Sequence, residues 1–275
     1  MRNVGDRGPP GSNGGAVTGR APVLLVLDFP GRRQEARISD LRLESAGFDV
    51  RYLLTSPFVR ELTAPAYAAE LVSRHGPFEP APAAALAYCM AAPIAQEIAA
   101  LCDTGPEPVP LVLLDGEPAT PSAIDEQFEA SLDHFRSQFG FLDDAGDEPL
   151  RFDAESLSNR PLECVDRMRR RLVELGAEGL RLDGGDDEEV ELIAHQAADF
   201  YLDWLVHLVA AHNATWPPWH GEVLHVVSAN HPGTGNWPGA RATTVRRVGA
   251  GRNELLGHPD ARDLVLTFLG RVRAA

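Results

Sequence analysis

Apolar runs of strand length recur along the chain and alternate with stretches of helical periodicity. The first run, VLLVLDF at 23–29, is continuous and ends at Pro30-Gly31, which is typical of a buried parallel strand followed by a turn. The pattern predicts six strands, at 23–29, 49–54, 83–88, 109–114, 222–228 and 242–248. Strands that alternate with helices predict an α/β fold, in which a mostly parallel sheet has helices on both faces.

The helical stretches divide the chain into three parts. Helices are predicted at 33–46, 65–74, from Met90 to about 102, 123–139, 162–175, 188–213 and 259–272. No strand pattern interrupts the helices between the fourth and fifth predicted strands. We therefore predict a helical lid at 118–185, inserted into a core made of 21–117 and 186–275. The Gly- and Pro-rich segment 1–20 is predicted to be a disordered tail.

Cys89 stands at a sharp turn between the strand at 83–88 and the helix that follows. The stretch reads Ala87-Tyr88-Cys89-Met90-Ala91, with small residues where strand and helix must approach closely. This is the layout of a nucleophile elbow, which usually reads Gly-x-Ser-x-Gly. A free Cys is also a common buried apolar residue, so the turn alone leaves both interpretations of Cys89 open.

Several candidate residues follow strand ends. Because the carboxyl ends of parallel strands share one edge of the sheet, Gly31, Cys89 and Asp115 are predicted to lie on that edge. A thiol nucleophile needs backbone N–H donors for the oxyanion, and we predict Met90 and Gly31 as these donors. Asp115 is predicted to orient a catalytic His, although an Asp before Gly116 also suits a turn or a helix cap.

The catalytic base is the least determined part of the site. His231 follows a strand end on the proposed active edge and is predicted as the base. His258 precedes a helix start on the same edge and is the alternative. His134 and His195, in the helical region, also stay open.

Composition narrows the possible functions. A net charge of −15 argues against a nucleic-acid partner, and the absence of any apolar run of about 18 residues argues against a membrane span. The N-terminus has no apolar core of a secretory signal. Three cysteines without metal-ligand spacing favour a reducing cytoplasm and predict no metal. All 25 basic residues are Arg, which removes Lys as a base.

From about Val23 onwards the order of motifs resembles the thioesterases of polyketide and nonribosomal-peptide synthesis. The matching stretches are FPG at 29–31, RHGPF at 74–78, AYCMAA at 87–92, LVLLDGEPAT at 111–120 and LLGHPDARDLVLTFL at 255–269. The resemblance implies an α/β-hydrolase fold with a helical lid, and it places the acid of the triad at Asp115.

Two departures from that family change what the resemblance implies. The elbow carries Cys89 with Ala in place of both Gly, which looks most like the Dieckmann cyclases that release tetramic acids or pyridones through a Cys-Asp-His triad. The family's His normally lies in a Gly-x-His segment, which here reads Gly251-Arg252-Asn253. The resemblance therefore supports Cys89 and Asp115 but supplies no His.

The implied reaction transfers an acyl chain to Cys89 from the phosphopantetheine thioester of an acyl or peptidyl carrier domain. The substrate's own active methylene then attacks the new thioester and closes a ring. No other cofactor is expected. The alternatives are a Cys-dependent hydrolytic or macrocyclising thioesterase, and a non-catalytic protein that binds a carrier or an intermediate.

Overall fold

The computed structural model has six strands and seven helices in the residues that it describes, which are 20–30, 36–103, 105, 107–138, 150–182, 186–233 and 235–272. The strands are β1 Val23–Leu27, β2 Asp49–Tyr52, β3 Ala84–Tyr88, β4 Leu111–Leu114, β5 Glu222–Val227 and β6 Ala242–Arg247. The helices are α1 Ala64–His75, α2 Ala92–Leu101, α3 Pro121–Gln138, α4 Ala154–Asn159, α5 Pro161–Leu182, α6 Asp187–His212 and α7 Pro259–Val272.

The strands form one sheet in the order β2-β1-β3-β4-β5-β6, and every pairing is parallel. Every residue of β1, β3 and β4 is buried, because these apolar strands are covered on both faces. Helices α1, α2 and α6 pack against one another, while α7 packs on β5. The predicted fold class, an α/β-hydrolase fold, is confirmed.

The register brings the two predicted strand-end residues together. Tyr88, the last residue of β3, pairs with Leu114, the last residue of β4, and Leu114 pairs with Val226 of β5. Cys89 and Asp115 each follow directly, so they are neighbours on the carboxyl edge of the sheet.

The prediction of a helix at 33–46 is wrong in the described part of that stretch. Two 3-10 turns occupy it, Ile38–Leu41 and Glu44–Ala46, and Arg42 between them has φ +50. A left-handed residue cannot continue an α-helix, and the Asp28 carboxylate accepts a hydrogen bond from the Ile38 N–H. The apolar spacing instead buries Ile38 and Leu41.

Four helices, α3 to α6, lie between β4 and β5, and α5 and α6 pack along each other. Helix α5 continues through Gly176, beyond its predicted end. A Cβ at Gly176 would lie 2.8 Å from the Phe135 ring of α3, so the missing side chain allows these helices to approach closely. The boundaries of a lid at 118–185 stay a prediction. None of the described helices is long and apolar enough to cross a membrane.

A buried glutamine ties α2 to the loops around β5 and β6. The Gln96 side chain is fully buried, and its Nε2 donates to the carbonyls of Pro217 at 3.0 Å and Pro238 at 2.9 Å. Its Oε1 accepts from the Trp237 indole at 2.7 Å. One side chain thus satisfies three polar groups beside the helix that begins after Cys89.

We expect Gln96→Leu to lower the free energy of unfolding by about 3 kcal/mol, because it leaves two carbonyls and one indole N–H without their partner. Urea unfolding followed by circular dichroism measures this loss. Gln196→Leu, at an exposed position of α6, is the matched control. Equal stability of the two variants would contradict the conclusion that the hydrogen bonds of Gln96 stabilise the protein.

Candidate active site

The chain turns sharply at Cys89. This residue has φ +56, in the left-handed region that a non-glycine residue rarely adopts, and it begins a 3-10 turn, Cys89–Ala91, that leads into α2. A Cβ added at Gly116 would lie 3.2 Å from the Ala92 Cβ, so the loop after β4 packs directly on the elbow. The strained turn matches the predicted nucleophile elbow.

The thiol of Cys89 contacts one cation and one carboxylate. Arg252 Nη2 lies 2.7 Å from Cys89 Sγ, and Glu117 Oε1 lies 3.2 Å from it. Arg252 Nη2 also donates to the same Glu117 oxygen at 2.7 Å. The three side chains form one cluster, which we call the thiol cluster. No hydrogen bond joins the thiol to a histidine among the residues that the structure describes.

Three different loops build the thiol cluster. Glu117 lies in the loop after β4, where its backbone N–H donates to the Cys89 carbonyl at 3.3 Å. Arg252 is the first residue of a 3-10 turn, Arg252–Gly257, that follows β6. Its guanidinium also lies 6.0 Å from the centre of the Tyr88 ring.

The environment keeps the resting sulfur protonated. Burial raises the pKa of the Cys89 thiol to about 12. The charge of Arg252 and the Met90 backbone N–H lower that pKa, whereas Glu117 raises it. The Met90 N–H thus interacts with the sulfur, and its role as an oxyanion donor stays a prediction. The second predicted donor, Gly31, lies outside the described residues.

Asp115 is fully buried at the end of β4 and has φ +45. Its Oδ1 accepts a hydrogen bond of 2.7 Å from the Ser228 backbone N–H, while its Oδ2 has no hydrogen-bond partner among the described residues. The structure therefore joins Asp115 to the loop after β5 and not to a histidine side chain. Its predicted catalytic role stays a prediction.

His231 lies beside the same cavity as Cys89, whereas His258 does not line it. His231 Nδ1 accepts from the Gly233 N–H at 3.3 Å, and its Nε2 is buried without a hydrogen-bond partner in the described residues. His258 Nδ1 instead accepts from the Asp260 N–H at the start of α7, as a capping residue does. The role of His231 as the base stays a prediction.

A cavity of about 890 Å³ opens above the thiol cluster. Aromatic residues from the β1 loop and from α6 form much of its wall, and Trp204 of α6 donates to Gln127 of α3 at 3.0 Å across it. The aromatic residues are Phe29, Phe58, Tyr88, Phe200, Tyr201 and Trp204. A mostly apolar cavity with a few polar groups at one end suits an acyl chain whose reactive carbonyl reaches Cys89.

No protein-family model and no curated protein matches the chain. Among solved structures, the NocB thioesterase domain in covalent complex with a fluorophosphonate nocardicin G analog is similar at 17% identity and a TM-score of 0.49, over 91% of this chain and 95% of that chain. The RedJ thioesterase from the prodiginine pathway in Streptomyces coelicolor is similar at 17% identity and a TM-score of 0.48, over 92% of this chain and 91% of that one.

A putative epoxide hydrolase from Pseudomonas aeruginosa is also similar, at 16% identity and a TM-score of 0.47, over 93% of this chain and 91% of that one. Such distant likenesses say nothing about the chemistry of this chain. The fold assignment rests on the sheet topology, and the chemistry has to come from the site itself.

Two residues of the thiol cluster were missed in the sequence. Glu117 follows Asp115 by two positions, and Arg252 occupies the segment in which the thioesterases carry their His. The sequence signal for Arg252 was therefore that this segment lacks the family's His. No group of three or more His, Cys, Asp or Glu that could hold a metal ion occurs in the described parts of the chain.

Proposed function

We propose that this chain is a Cys-dependent Dieckmann cyclase, which releases a carrier-bound β-ketoacyl-aminoacyl thioester as a tetramic acid or pyridone. The observation that carries the proposal is the Cys89 thiol, which a strained elbow places in the wall of a cavity of about 890 Å³ lined by aromatic residues. The carrier domain would present the thioester on its phosphopantetheine arm at the mouth of this cavity.

The proposed reaction has two acyl transfers. In the first, Cys89 sulfur bonds to the acyl carbon, and the phosphopantetheine sulfur leaves as a thiol. In the second, the methylene between two carbonyls loses a proton, its carbon bonds to the acyl carbon, and Cys89 leaves as a thiolate. The first transfer exchanges one thioester for another, so little free energy is lost before the ring closes.

A hydrolytic thioesterase is the first alternative, and two features favour carbon as the nucleophile over water. Water attack needs a strong general base beside the acyl-enzyme, and the thiol contacts no histidine in the described part of the chain. A methylene between two carbonyls is far more acidic than water. The apolar cavity walls would also exclude water once an acyl chain fills them.

A non-catalytic binding protein is the alternative of another class. The raised pKa of the Cys89 thiol favours it, since a protonated thiol is a poor nucleophile.

Product analysis tests the proposed function. The protein and Cys89→Ala are each incubated with a synthetic β-ketoacyl-aminoacyl thioester, free and linked to a carrier domain, and followed by mass spectrometry. We expect the cyclised product and an acyl adduct on Cys89 only with the unmutated protein. A free acid would establish a thioesterase, and no adduct and no turnover would leave the binding protein.

A further inference from the structure

We propose that Glu117 and Arg252 activate the Cys89 thiol, with Glu117 as the proton acceptor and Arg252 as the cation that stabilises the thiolate. The assignment rests on the contacts of the thiol cluster, in which both side chains hydrogen-bond the sulfur and each other. Its acyl-transfer part rests on the proposed function, whereas its effect on the thiol does not.

Charge balance explains why both residues are needed. In the resting cluster Glu117 and Arg252 are oppositely charged and 2.7 Å apart, and the buried thiol is neutral. When the proton moves from the sulfur to Glu117, the negative charge moves to the sulfur, which Arg252 also contacts. The cation therefore keeps one anionic partner throughout, so the transfer does not leave an unpaired charge in a half-buried site.

The proton returns when each leaving group departs. As the tetrahedral intermediate collapses, the bond to the phosphopantetheine sulfur breaks and that sulfur takes the proton from Glu117. Glu117 is then a carboxylate again and accepts the proton of the active methylene. The Cys89 thiolate expelled by ring closure finally takes that proton, so the cluster returns to its starting state.

Neither of the other candidate side chains, Asp115 and His231, hydrogen-bonds the Cys89 sulfur in the described residues. Asp115 Oδ1 is bonded to the Ser228 N–H, and His231 Nδ1 is bonded to the Gly233 N–H. The segment that lacks the family's His thus supplies Arg252, and the loop after β4 supplies a carboxylate that can accept the proton.

Alkylation of Cys89 by iodoacetamide tests the thiol part without any substrate. The sulfur displaces iodide only as a thiolate, so its rate at fixed pH follows the thiolate fraction. At pH 7.5 we expect Arg252→Met to slow alkylation about tenfold, because removal of the cation raises the thiol pKa by about one unit. We expect Glu117→Gln to speed it about tenfold, because removal of the carboxylate lowers that pKa.

The same variants are then assayed for acyl transfer from the synthetic thioester to Cys89. Glu117→Gln is expected to slow this step about 100-fold although its thiol alkylates faster, because no proton acceptor remains under the bound acyl chain. Arg252→Met should slow both reactions, and Arg252→Lys should restore part of each. A purely structural role would not separate the two rates of Glu117→Gln.

An ion pair away from the cavity supplies the control variants. Arg241 and Glu222 form an exposed ion pair of 3.1 Å between β5 and β6, so Arg241→Met and Glu222→Gln remove the same charges away from the cavity and should change neither rate. Peptide mapping separates Cys89 from the buried Cys102 and Cys164. Circular dichroism checks that each variant is folded.

The outcomes separate this inference from the proposed function. Alkylation of Glu117→Gln no faster than that of the unmutated protein would overturn the inference, even if cyclisation occurs. Acyl transfer unchanged in Glu117→Gln but lost in His231→Gln would also overturn it, in favour of the histidine mechanism. The expected alkylation rates without any acyl adduct would keep the thiol cluster and reject the proposed function.

Discussion

Replacing Cys89 with Ser is expected to slow formation of the acyl-enzyme at least roughly 1000-fold, although the two side chains differ by one atom. A serine hydroxyl must lose its proton to a base as it attacks, and hydroxylic nucleophiles rely on a positioned histidine for this. Glu117 and Arg252 are the only side chains among the described residues that hydrogen-bond the sulfur of Cys89. A carboxylate is a much poorer base towards an alcohol than towards a thiol, because the alcohol is by far the weaker acid.

Single-turnover measurement by intact-protein mass spectrometry gives the rate of adduct formation for both proteins. Cys102→Ser, a buried cysteine at the end of α2 and away from the cavity, controls for general effects of the exchange. A Cys89→Ser variant that retains more than about one tenth of the rate would show that a histidine acts as the base after all. His231 would then be the first candidate.

The central strands were predictable because their sequences are continuous apolar runs. A continuous apolar run such as 23–29 can only be buried on both faces, and the observed β1 and its neighbours are buried throughout. The elbow at Cys89 followed from strand, turn and helix in immediate succession. The segment 38–46 was mistaken for a helix because its apolar spacing is helical, while the left-handed Arg42 that breaks it leaves no mark in that spacing.

The site was only partly predictable, for a physical reason. Cys89 and Asp115 share one edge because parallel strands align their carboxyl ends, so local patterns suffice to place them. The contact between Arg252 and Cys89 spans 163 positions of sequence and depends on how the loop after β6 folds over the elbow. The Gly251-Arg252-Asn253 segment was interpreted only by its missing His, so Arg252 was not predicted as a partner of the thiol.

Acid is expected to destabilise the protein strongly between about pH 6.5 and pH 4, because two histidines are buried in the neutral form. His207 is wholly buried between Trp204, Tyr67 and Phe29, and neither ring nitrogen has a hydrogen-bond partner in the described residues. Burial lowers the pKa of His207 to about 3. Burial, with the nearby His231, lowers the pKa of His225 on β5 to about 4.

The direction in which stability changes with pH follows from proton binding. Above about pH 6.5 both histidines are neutral whether the chain is folded or not, so their burial adds no pH dependence to the free energy of unfolding. Below it the unfolded chain takes up two protons that the folded protein cannot bind until about pH 4 for His225 and about pH 3 for His207. At pH 5 each histidine thus costs about 2 kcal/mol, and together about 4 kcal/mol, which is a large part of the stability of an ordinary domain.

Urea unfolding at pH 7.5, 6 and 5 measures this dependence. The slope of the free energy of unfolding against pH matters more here than its absolute value. His207→Leu, which cannot be protonated, should remove about half of the loss between pH 6.5 and pH 5 whatever its stability at pH 7.5. Gln196→Leu, at an exposed position that carries no titratable group, should leave the slope unchanged. An unaltered slope in His207→Leu would mean that His207 is protonated in the folded protein.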